Sequence, residues 1–147
     1  MRLLLRRMDV RDLHQVIALM ESDRNLAFEK WEIPLLASNL ERNPDVNLVV
    51  VDEGIDNRIA GAVIASVSVR IYLTHIATDI TYKGHGVGRM LAGGIENAAR
   101  KLGVMRIILQ VLSGNSAARG FFNHAGYNEL SSQVQVTFEK DLPDAHD

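Results

Sequence analysis

Apolar residues near the start of the chain follow first a strand-like and then a helical period. Residues 2–7 are apolar and basic and predict a strand. Asp9 is placed to cap a helix over residues 10–24, in which apolar side chains recur on one face at the spacing of helical turns. Residues 26–42 repeat this helical pattern, with an interruption at Pro34. This part of the chain is therefore predicted to form one strand and two amphipathic helices.

The period changes after the second helix, where valine, isoleucine and alanine become dense. Runs over residues 46–51, 59–69 and 71–80 predict three strands. The connections between them are short, so an antiparallel meander is expected. Beyond them, apolar residues from Val87 onward recur at helical spacing and end at Gly103, a favourable stop for a helix.

The rest of the chain alternates between strand and helix patterns. The predicted elements are a buried strand, a short helix and two further strands, over residues 104–112, 116–124, 127–130 and 134–139. The element order predicts a mixed α/β fold. Its central, mostly antiparallel sheet is expected to have about seven strands, with helices on both faces.

Length, charge and composition exclude several classes of protein. The chain of 147 residues is predicted to be one domain, residues 1–147. It has 16 Lys and Arg against 18 Asp and Glu, a formal net charge of −2, which argues against a dedicated nucleic-acid binder. The absence of cysteine excludes disulfides, thiolate nucleophiles and zinc–thiolate sites. The histidines share no metal-ligand spacing, so no metal site is predicted.

The sequence also lacks membrane and export signals. No stretch approaches the roughly 20 apolar residues of a membrane span. The first apolar run is shorter than a signal-peptide core and is followed by two arginines. We therefore expect a cytoplasmic protein with no membrane partner, and the exposed edge strands of such a sheet are consistent with a homodimer.

A glycine-rich loop carries the clearest chemical signal. Gly84, Gly86 and Gly88 lie between a predicted strand and a predicted helix. Glycines allow the backbone to turn tightly and to approach a ligand closely, and the start of a helix offers unpaired N–H groups to an anion. Lys83 and Arg89 flank the loop and supply positive charge. A diphosphate is the expected ligand.

Four interpretations of this loop compete. A Walker P-loop requires Lys-Ser or Lys-Thr after the last glycine, but Arg89 and Met90 follow here. A dinucleotide fold requires a different glycine spacing and an acid about 20 residues on, where residues 106–110 contain none. Coenzyme A is the third candidate ligand. In the fourth interpretation the glycines serve only a tight strand-to-helix turn.

The loop and a second motif resemble those of the GNAT superfamily of acetyl-CoA-dependent N-acetyltransferases. The family's pyrophosphate loop, Gln/Arg-x-x-Gly-x-Gly/Ala, is similar to residues 83–88, with Lys83 in place of Gln or Arg. Residues 76–82 are similar to the end of the family's fourth strand. The family's second signature is similar to the stretch with Asn115, Ala118, Phe121, Phe122, Gly126 and Tyr127. The element order agrees over nearly the whole chain, so the resemblance implies a GNAT-like fold and acetyl-CoA as cosubstrate.

The resemblance also implies roles for individual residues. Backbone groups of residues 76–78 would pair with the pantetheine arm like an added strand, and a continuous loop would hold the pyrophosphate. These two segments are Ile76, Ala77 and Thr78, and Lys83, Gly84, His85, Gly86, Val87, Gly88 and Arg89. The pantetheine and thioester end would be bound by Asn115, Ala118, Phe121 and Phe122. A helix cap at Asn115 and core packing of the two phenylalanines are compatible alternatives.

Two positions depart from the family pattern. Many members use a tyrosine as the acid toward the sulfur, where this chain has Phe122. In the ribosomal-protein alanine acetyltransferases a glutamate on strand five serves as base, where this chain has Gln110. Neither residue transfers a proton at neutral pH. These departures concern the mechanism and leave the expectation of cofactor binding unchanged.

Other residues are therefore the catalytic candidates. His75, beside the expected acetyl site, is the candidate base, acting directly or through water, and Tyr127 is the candidate acid. A histidine bonded within the sheet and a tyrosine used for packing are the alternatives. His85 and His124 are expected to be surface residues.

The second helix supplies the candidate substrate-binding residues, because in this family that helix often borders the acceptor. They are Phe28, Glu29, Trp31 and Glu32. The alternatives are solvated helix charges for the two glutamates and core packing for the two aromatic residues.

The chemistry of acetyl transfer favours a weakly basic acceptor. A lysine-like amine with a pKa near 10.4 must lose a proton at a cost of roughly 4.6 kcal/mol at pH 7, against about 1.4 kcal/mol for an α-amine. We therefore expect transfer of acetyl from acetyl-CoA to a small amine or a peptide α-amine by direct attack in a ternary complex. A catalytically degenerate acyl-CoA sensor is the main alternative, and a nucleotide-binding regulatory domain is the third.

Overall fold

The computed structural model describes residues 1–23, 28–130 and 138–142. It has two compact units, Met1–Asn115 and Ser116–Asp147. The first contains the strands β1 (Leu3–Arg7), β2 (Leu48–Asp52), β3 (Arg58–Val67), β4 (Ile71–Thr78) and β5 (Ile107–Leu109), and the helices α1 (Leu13–Ser22), α2 (Ile33–Arg42) and α3 (Val87–Leu102). The second contains α4 (Ser116–His124). Whether the two units together form the single domain predicted from the sequence is not tested by the structure, and the single domain stays a prediction.

Asp9, predicted to cap the first helix directly, caps a 3-10 turn at Val10–Asp12 that leads into α1. The Asp9 carboxylate accepts a hydrogen bond from the N–H of Arg11 at 2.9 Å, and the Asp9 N–H donates to Asp12 at 2.7 Å. Asp12 also receives two hydrogen bonds from the Arg6 guanidinium, at 2.7 and 2.9 Å. Burial raises the pKa of Asp12, but these bonds outweigh it and the net pKa is lowered.

Within the described residues, the second helix begins later than the sequence suggested, since residues 28 and 29 are not helical; residues 26 and 27 of the predicted helix lie outside the described residues. Pro34, predicted to interrupt a helix over residues 26–42, lies instead in the first turn of α2, after a 3-10 turn at Lys30–Glu32. The physical reason is that proline at the start of a helix loses no intrahelical hydrogen bond and has a helical φ already.

The sheet of the first unit has the order β1-β2-β3-β4-β5. The first four strands are antiparallel neighbours, as predicted for the meander, and β5 pairs with β4 in parallel. The described residues contain five strands, fewer than the seven or so predicted. Residues 127–130 pair with no strand among the described residues. Residues 134–137 of the last predicted strand lie outside the described residues.

Each face of the sheet carries its own apolar core. On one face, α3 packs against β1 to β4 through residues such as Val87, Leu91 and Ile95. On the other face, Val16 and Met20 of α1 and Leu36 of α2 pack against β2 to β4. Within the described residues, no helix is long and apolar enough to cross a membrane.

A buried amide network attaches α2 to the sheet. Asn47 is fully buried, and its side chain exchanges two hydrogen bonds with the backbone of Ala65, at 3.0 and 3.1 Å. The Asn39 amide donates to the Asn47 side chain at 3.1 Å. The Asn43 side chain accepts from the N–H of Val67 at 3.1 Å. Hydrogen bonds between these side chains and the backbone of β3 thereby hold the end of α2 against the sheet.

Candidate active site

The glycine loop adopts a conformation that requires glycine at two positions. Gly84 has φ +83° and Gly86, which caps α3, has φ +82°. This left-handed region is unfavourable for residues with a Cβ. A Cβ built on either glycine would meet no atom within 4 Å, so open space lies beside both residues. Gly88, the third glycine, lies in the first turn of α3 and has no positive φ.

The backbone donors of this loop are available for a ligand. In the described part of the chain, the N–H groups of Gly84 and of residues 86–89 donate to no backbone or side-chain acceptor, whereas Met90 donates to the Gly86 carbonyl at 3.0 Å. The first N–H groups of a helix have no intrahelical partner, and the helix dipole makes this end positive. Lys83, His85 and Arg89 are exposed. The arrangement suits an anion with several oxygens.

A hydrogen bond from Tyr82 to Asp52 holds the start of the loop in place. Tyr82 is buried and donates its hydroxyl hydrogen to Asp52 at 2.8 Å. Asp52 also accepts from the backbone N–H groups of Arg2 and Gly54, at 3.0 and 2.9 Å. The bonds from Arg2 and Tyr82 lower the pKa of Asp52, and the bond to Asp52 raises the pKa of Tyr82.

The first residue of α3 is positioned by close packing. A Cβ on Gly61 of β3 would lie 2.4 Å from Cγ1 of Val87 and 3.0 Å from the Ala77 carbonyl oxygen. Glycine at position 61 therefore allows the start of α3 to contact the middle of the sheet. This contact fixes the direction of the loop amides.

One edge of β4 is open beside the expected thioester site. Parallel pairing with β5 covers only Ile71 to Leu73. Beyond Leu73, no described strand pairs with this edge, which includes Ile76, Ala77 and Thr78. These three residues keep their pairing with β3 on the other side. An extended ligand therefore finds backbone groups to pair with along this edge.

A bulge in β4 decides which face His75 occupies. Ile64 of β3 pairs with His75, but the next residue, Ala65, pairs with Leu73, so Thr74 is the extra residue of a bulge. Before the bulge, Ile71 and Leu73 face α3. After it, His75 lies opposite Ile64, which belongs to the core under α1 and α2.

His75, Glu32 and Phe28 are brought together on that face. The Nε2 atom of His75 lies 3.8 Å from Oε2 of Glu32. The Phe28 ring meets the imidazole edge-on, with ring centroids 5.2 Å apart. The His75 side chain is 7% exposed and that of Glu32 is 23% exposed. One catalytic and two substrate-binding candidates from the sequence thus form one cluster.

The other two candidates on this segment are more exposed. Trp31 is 64% exposed, so the alternative that it packs in the core is wrong. Trp31 is the middle residue of the 3-10 turn at Lys30–Glu32. In a turn of only three residues, not every side chain can point toward the sheet, and here that of Trp31 points to solvent. Glu29 is exposed, and its N–H donates to Oε2 of Glu32 at 2.7 Å.

The second unit contains most of the predicted thioester-end residues. The rings of Phe121 and Phe122 meet edge-on with centroids 5.0 Å apart, and those of Phe122 and Tyr127 with centroids 5.2 Å apart. Phe122 is buried. Ala118 lies on the same helix, and the roles assigned to these residues stay predictions.

Asn115 and Gln110 belong to the first unit. Gln110 is exposed and follows the last residue of β5, and Asn115 ends the unit. In the described residues, no group of three or more His, Asp or Glu side chains is arranged to hold a metal ion.

Sequence reasoning missed two features of the site. The Thr74 bulge reverses the face of His75, and no residue at this position signals it, since threonine is common in regular strands. The anchoring of the loop by Asp52 and Tyr82 joins residues 30 positions apart, and neither is part of a local motif. The acidic end of an otherwise apolar strand, at Asp52, was the available signal for a buried acceptor.

Comparison with known proteins gives the following matches. Residues 13–127 match the sequence model described as Acetyltransferase (GNAT) family. No curated protein matches the chain by sequence. The ribosomal-protein-S18-alanine N-acetyltransferase from Escherichia coli has a similar structure, with a TM-score of 0.71 and 28% identity over 87% of this chain and 79% of that chain.

Two further solved structures share the fold. The NatC complex bound to Gag peptide and CoA matches with a TM-score of 0.74 and 21% identity, over 85% of this chain and 84% of that one. The aminoglycoside antibiotic 6'-N-acetyltransferase AAC(6')-Ih from Acinetobacter baumannii matches with a TM-score of 0.74 and 13% identity, over 97% and 100%.

Proposed function

Because the chain belongs to the GNAT acetyltransferase family, whose cosubstrate is acetyl-CoA, we propose that it transfers the acetyl group of acetyl-CoA to a primary amine. The observation that carries the proposal is the loop at residues 84–89. Among the described residues its N–H groups have no acceptor except for that of His85, which donates to Tyr82. A pyrophosphate offers several anionic oxygens to such donors.

The loop residues fit a pyrophosphate in three respects. Gly84 and Gly86 present backbone without side chains, and open space lies where a Cβ would be. The loop ends in the positive end of the 16-residue helix α3. Lys83 and Arg89 are exposed on either side and add charge-assisted donors.

The rest of the cosubstrate is assigned to the edge of β4 and to residues in and just before α4. We assign the open edge of β4 at residues 76–78 to the pantetheine arm, because it offers backbone groups without a strand partner. Asn115, Ala118, Phe121 and Phe122 are proposed for the pantetheine and thioester end. When bound, acetyl-CoA supplies a thioester, whose carbonyl carbon is open to attack by an amine.

The acceptor is proposed to be an amine of modest basicity, on a small molecule or at a peptide or protein α-amine. At the positions where the family often has an acid or a base, this chain has Phe122 and Gln110, whose side chains neither gain nor lose a proton at neutral pH. Tyr127 is the proposed substitute for the acid, the cluster of His75 and Glu32 is proposed to supply the base, and the amine attacks directly in a ternary complex. The E. coli relative is named for an alanine of a ribosomal protein, which is consistent with an α-amine.

Thermal unfolding and turnover test this function. We expect acetyl-CoA at 1 mM to raise the Tm by several degrees if its Kd is micromolar, whereas ATP and NAD produce no such rise. A panel of primary amines, including alanyl peptides and lysine side chains, should then release CoA thiol with a clear acceptor preference. Failure of acetyl-CoA to raise the Tm contradicts the proposal.

A second function has one specific observation in its favour. With Gln110 and Phe122 in place of the familiar base and acid, the chain has the composition expected of an acyl-CoA sensor without catalysis. The same amine panel separates the two functions. Stabilisation by acetyl-CoA, together with slow hydrolysis that no amine accelerates, favours the sensor.

A further inference from the structure

We infer that Glu32 is the residue that accepts the proton of the acceptor amine, and that His75 positions and stabilises the Glu32 carboxylate. This inference rests on the proposed N-acetyltransferase function and names the group that replaces the familiar base. It reverses the sequence-based assignment, in which His75 was the base and Glu32 a substrate-binding residue.

The two carboxylate oxygens of Glu32 have different surroundings. Oε2 accepts a hydrogen bond from the N–H of Glu29 at 2.7 Å and lies 3.8 Å from Nε2 of His75. Oε1 accepts no hydrogen bond from any residue that the structure describes. The carboxylate is therefore held by one oxygen, while the other is available to a ligand.

Exposure separates the roles of the two side chains. The His75 side chain is 7% exposed, since it lies on the sheet beside the edge of the Phe28 ring. The Glu32 side chain is 23% exposed. A base must come within about 3 Å of the proton that it removes, or reach it through one water. Glu32, the more exposed of the two side chains, is therefore the one that an acceptor amine or a bridging water can reach more easily.

The position of this pair agrees with the proposed binding of the cosubstrate. His75 directly precedes residues 76–78, the open β4 edge assigned to the pantetheine arm. The Thr74 bulge turns His75 toward the face that carries Glu32. The half-buried Asn39 amide, bonded to the buried Asn47 side chain and to the Ala65 carbonyl, holds the far end of α2 on β3, and the 3-10 turn with Glu32 leads directly into α2. The segment that carries Glu32 is thus continuous with a helix that is hydrogen-bonded to the sheet.

The proton balance of the reaction is as follows. The ammonium group of the acceptor gives one proton to Glu32 and becomes a neutral amine. Its nitrogen attacks the thioester carbon, so that a C–N bond forms and the C–S bond breaks. The sulfur leaves with the electron pair of that bond and takes up the second proton that the nitrogen loses. Glu32 returns its proton to solvent, and the net products are an amide, a thiol and one proton.

Steady-state kinetics of three single variants test the inference. We expect Glu32→Gln to lower kcat by 100-fold or more, in the range of lost general-base catalysis, without changing the Kd for acetyl-CoA. Glu32→Asp should recover part of this loss. His75→Gln should lower kcat about tenfold, as expected for the loss of an orienting partner. Glu41→Gln, an exposed carboxylate on α2, is the matched control and should retain wild-type kinetics.

Two readouts separate a base from a merely structural residue. A fluorinated, less basic analogue of the best acceptor is largely neutral already, so Glu32→Gln should reduce its rate far less. In the Glu32→Gln background, His75→Gln should have no further effect, because His75 acts through Glu32. An equal loss for basic and weakly basic amines, or additive effects of the two substitutions, would overturn the assignment.

The outcome also separates this inference from the proposed function. If the wild-type chain turns over and Glu32→Gln keeps kcat within twofold, only the role of Glu32 is contradicted. If the wild type itself releases no CoA thiol with any amine, the proposed function fails, and the catalytic role of Glu32 fails with it.

Discussion

The hydroxyl of Tyr82 donates a hydrogen bond to the carboxylate of Asp52 at 2.8 Å inside the first unit. The bond joins the end of β2 to the residue that precedes the glycine loop. Asp52 accepts two further bonds from the backbone N–H groups of Arg2 and Gly54. One buried carboxylate thus connects the start of the chain, the turn after β2 and the entry to the proposed pyrophosphate site.

The first prediction concerns pH. The pKa of folded Asp52 lies below its ordinary value, chiefly through the bonds from Arg2 and Tyr82, so the ionised form stabilises the fold above about pH 4. This stabilisation is lost as the pH falls through the folded pKa. Asp52→Asn should therefore lower the unfolding free energy at pH 7 and flatten its decline between about pH 5 and 2.

Urea denaturation across this pH range measures the effect. Glu53→Gln changes the exposed neighbouring carboxylate and should alter the unfolding free energy by less than about 0.5 kcal/mol. If Asp52→Asn leaves the dependence of the unfolding free energy on pH unchanged, the negative charge of Asp52 does not stabilise the fold.

The second prediction concerns Gly86. Gly86→Ala places a Cβ at φ +82° and should cost about 1–2 kcal/mol of stability. The Cβ also enters the open space beside the loop amides, so the Kd for acetyl-CoA should rise more than tenfold. Gly103→Ala is the matched control, because Gly103 has φ +71° at the other end of α3.

Calorimetric titration of both variants with acetyl-CoA gives the comparison. Gly103→Ala should lose similar stability and retain the wild-type Kd. Equal affinities of the two variants would mean that the cosubstrate does not approach Gly86.

The third prediction concerns the packing of the start of α3 against Gly61 of the sheet. A Cβ at Gly61 would lie 2.4 Å from Val87 Cγ1 and must displace the first residue of α3. Gly61→Ala should therefore lower stability by about 1–3 kcal/mol and weaken binding of acetyl-CoA. Gly94→Ala is equally overpacked, against Leu48 at 2.6 Å and Leu5 at 2.9 Å, but lies in the middle of the helix.

Both variants are compared by chemical denaturation and by titration. We expect similar destabilisation and a selective loss of affinity in Gly61→Ala. If Gly94→Ala loses as much affinity, general destabilisation and not the direction of the helix start explains the loss.

The fourth prediction concerns the buried amide of Asn47. Asn47→Ala leaves the N–H and carbonyl of Ala65 without their side-chain partners in the interior. The expected loss is about 2–4 kcal/mol, from the cost of unsatisfied buried groups. Urea denaturation at pH 7 measures it, with the exposed Asn97→Ala on α3 as control. A loss below about 0.5 kcal/mol would mean that water replaces the amide without cost.

Local patterns were sufficient to predict most elements of the first unit. The α3 helix ends at Gly103, and Asp9 caps the 3-10 turn that leads into α1, because glycine at positive φ and aspartate at a cap act within a few residues. The antiparallel meander was also predicted and is confirmed by the pairing of β2, β3 and β4.

Long-range features were not predictable in the same way. The pairing of β4 with β5 ends at Leu73, although the apolar pattern of residues 104–112 predicted a longer strand. The strand β5 ends at Leu109, and the length of a strand depends on pairing with its neighbour, which its own sequence does not encode. The cluster of His75 and Glu32 depends on a bulge and on the position of α2, and both arise from tertiary packing.

The central claim is that the backbone N–H groups of residues 84–89 bind the pyrophosphate of acetyl-CoA. The most direct measurement is the ¹H–¹⁵N spectrum of protein labelled with ¹⁵N-glycine, which has 11 glycines, during titration with acetyl-CoA. We expect the largest shifts at Gly84, Gly86 and Gly88, and unchanged signals at Gly103 and Gly54. Saturable binding that leaves the three loop signals unmoved would contradict it.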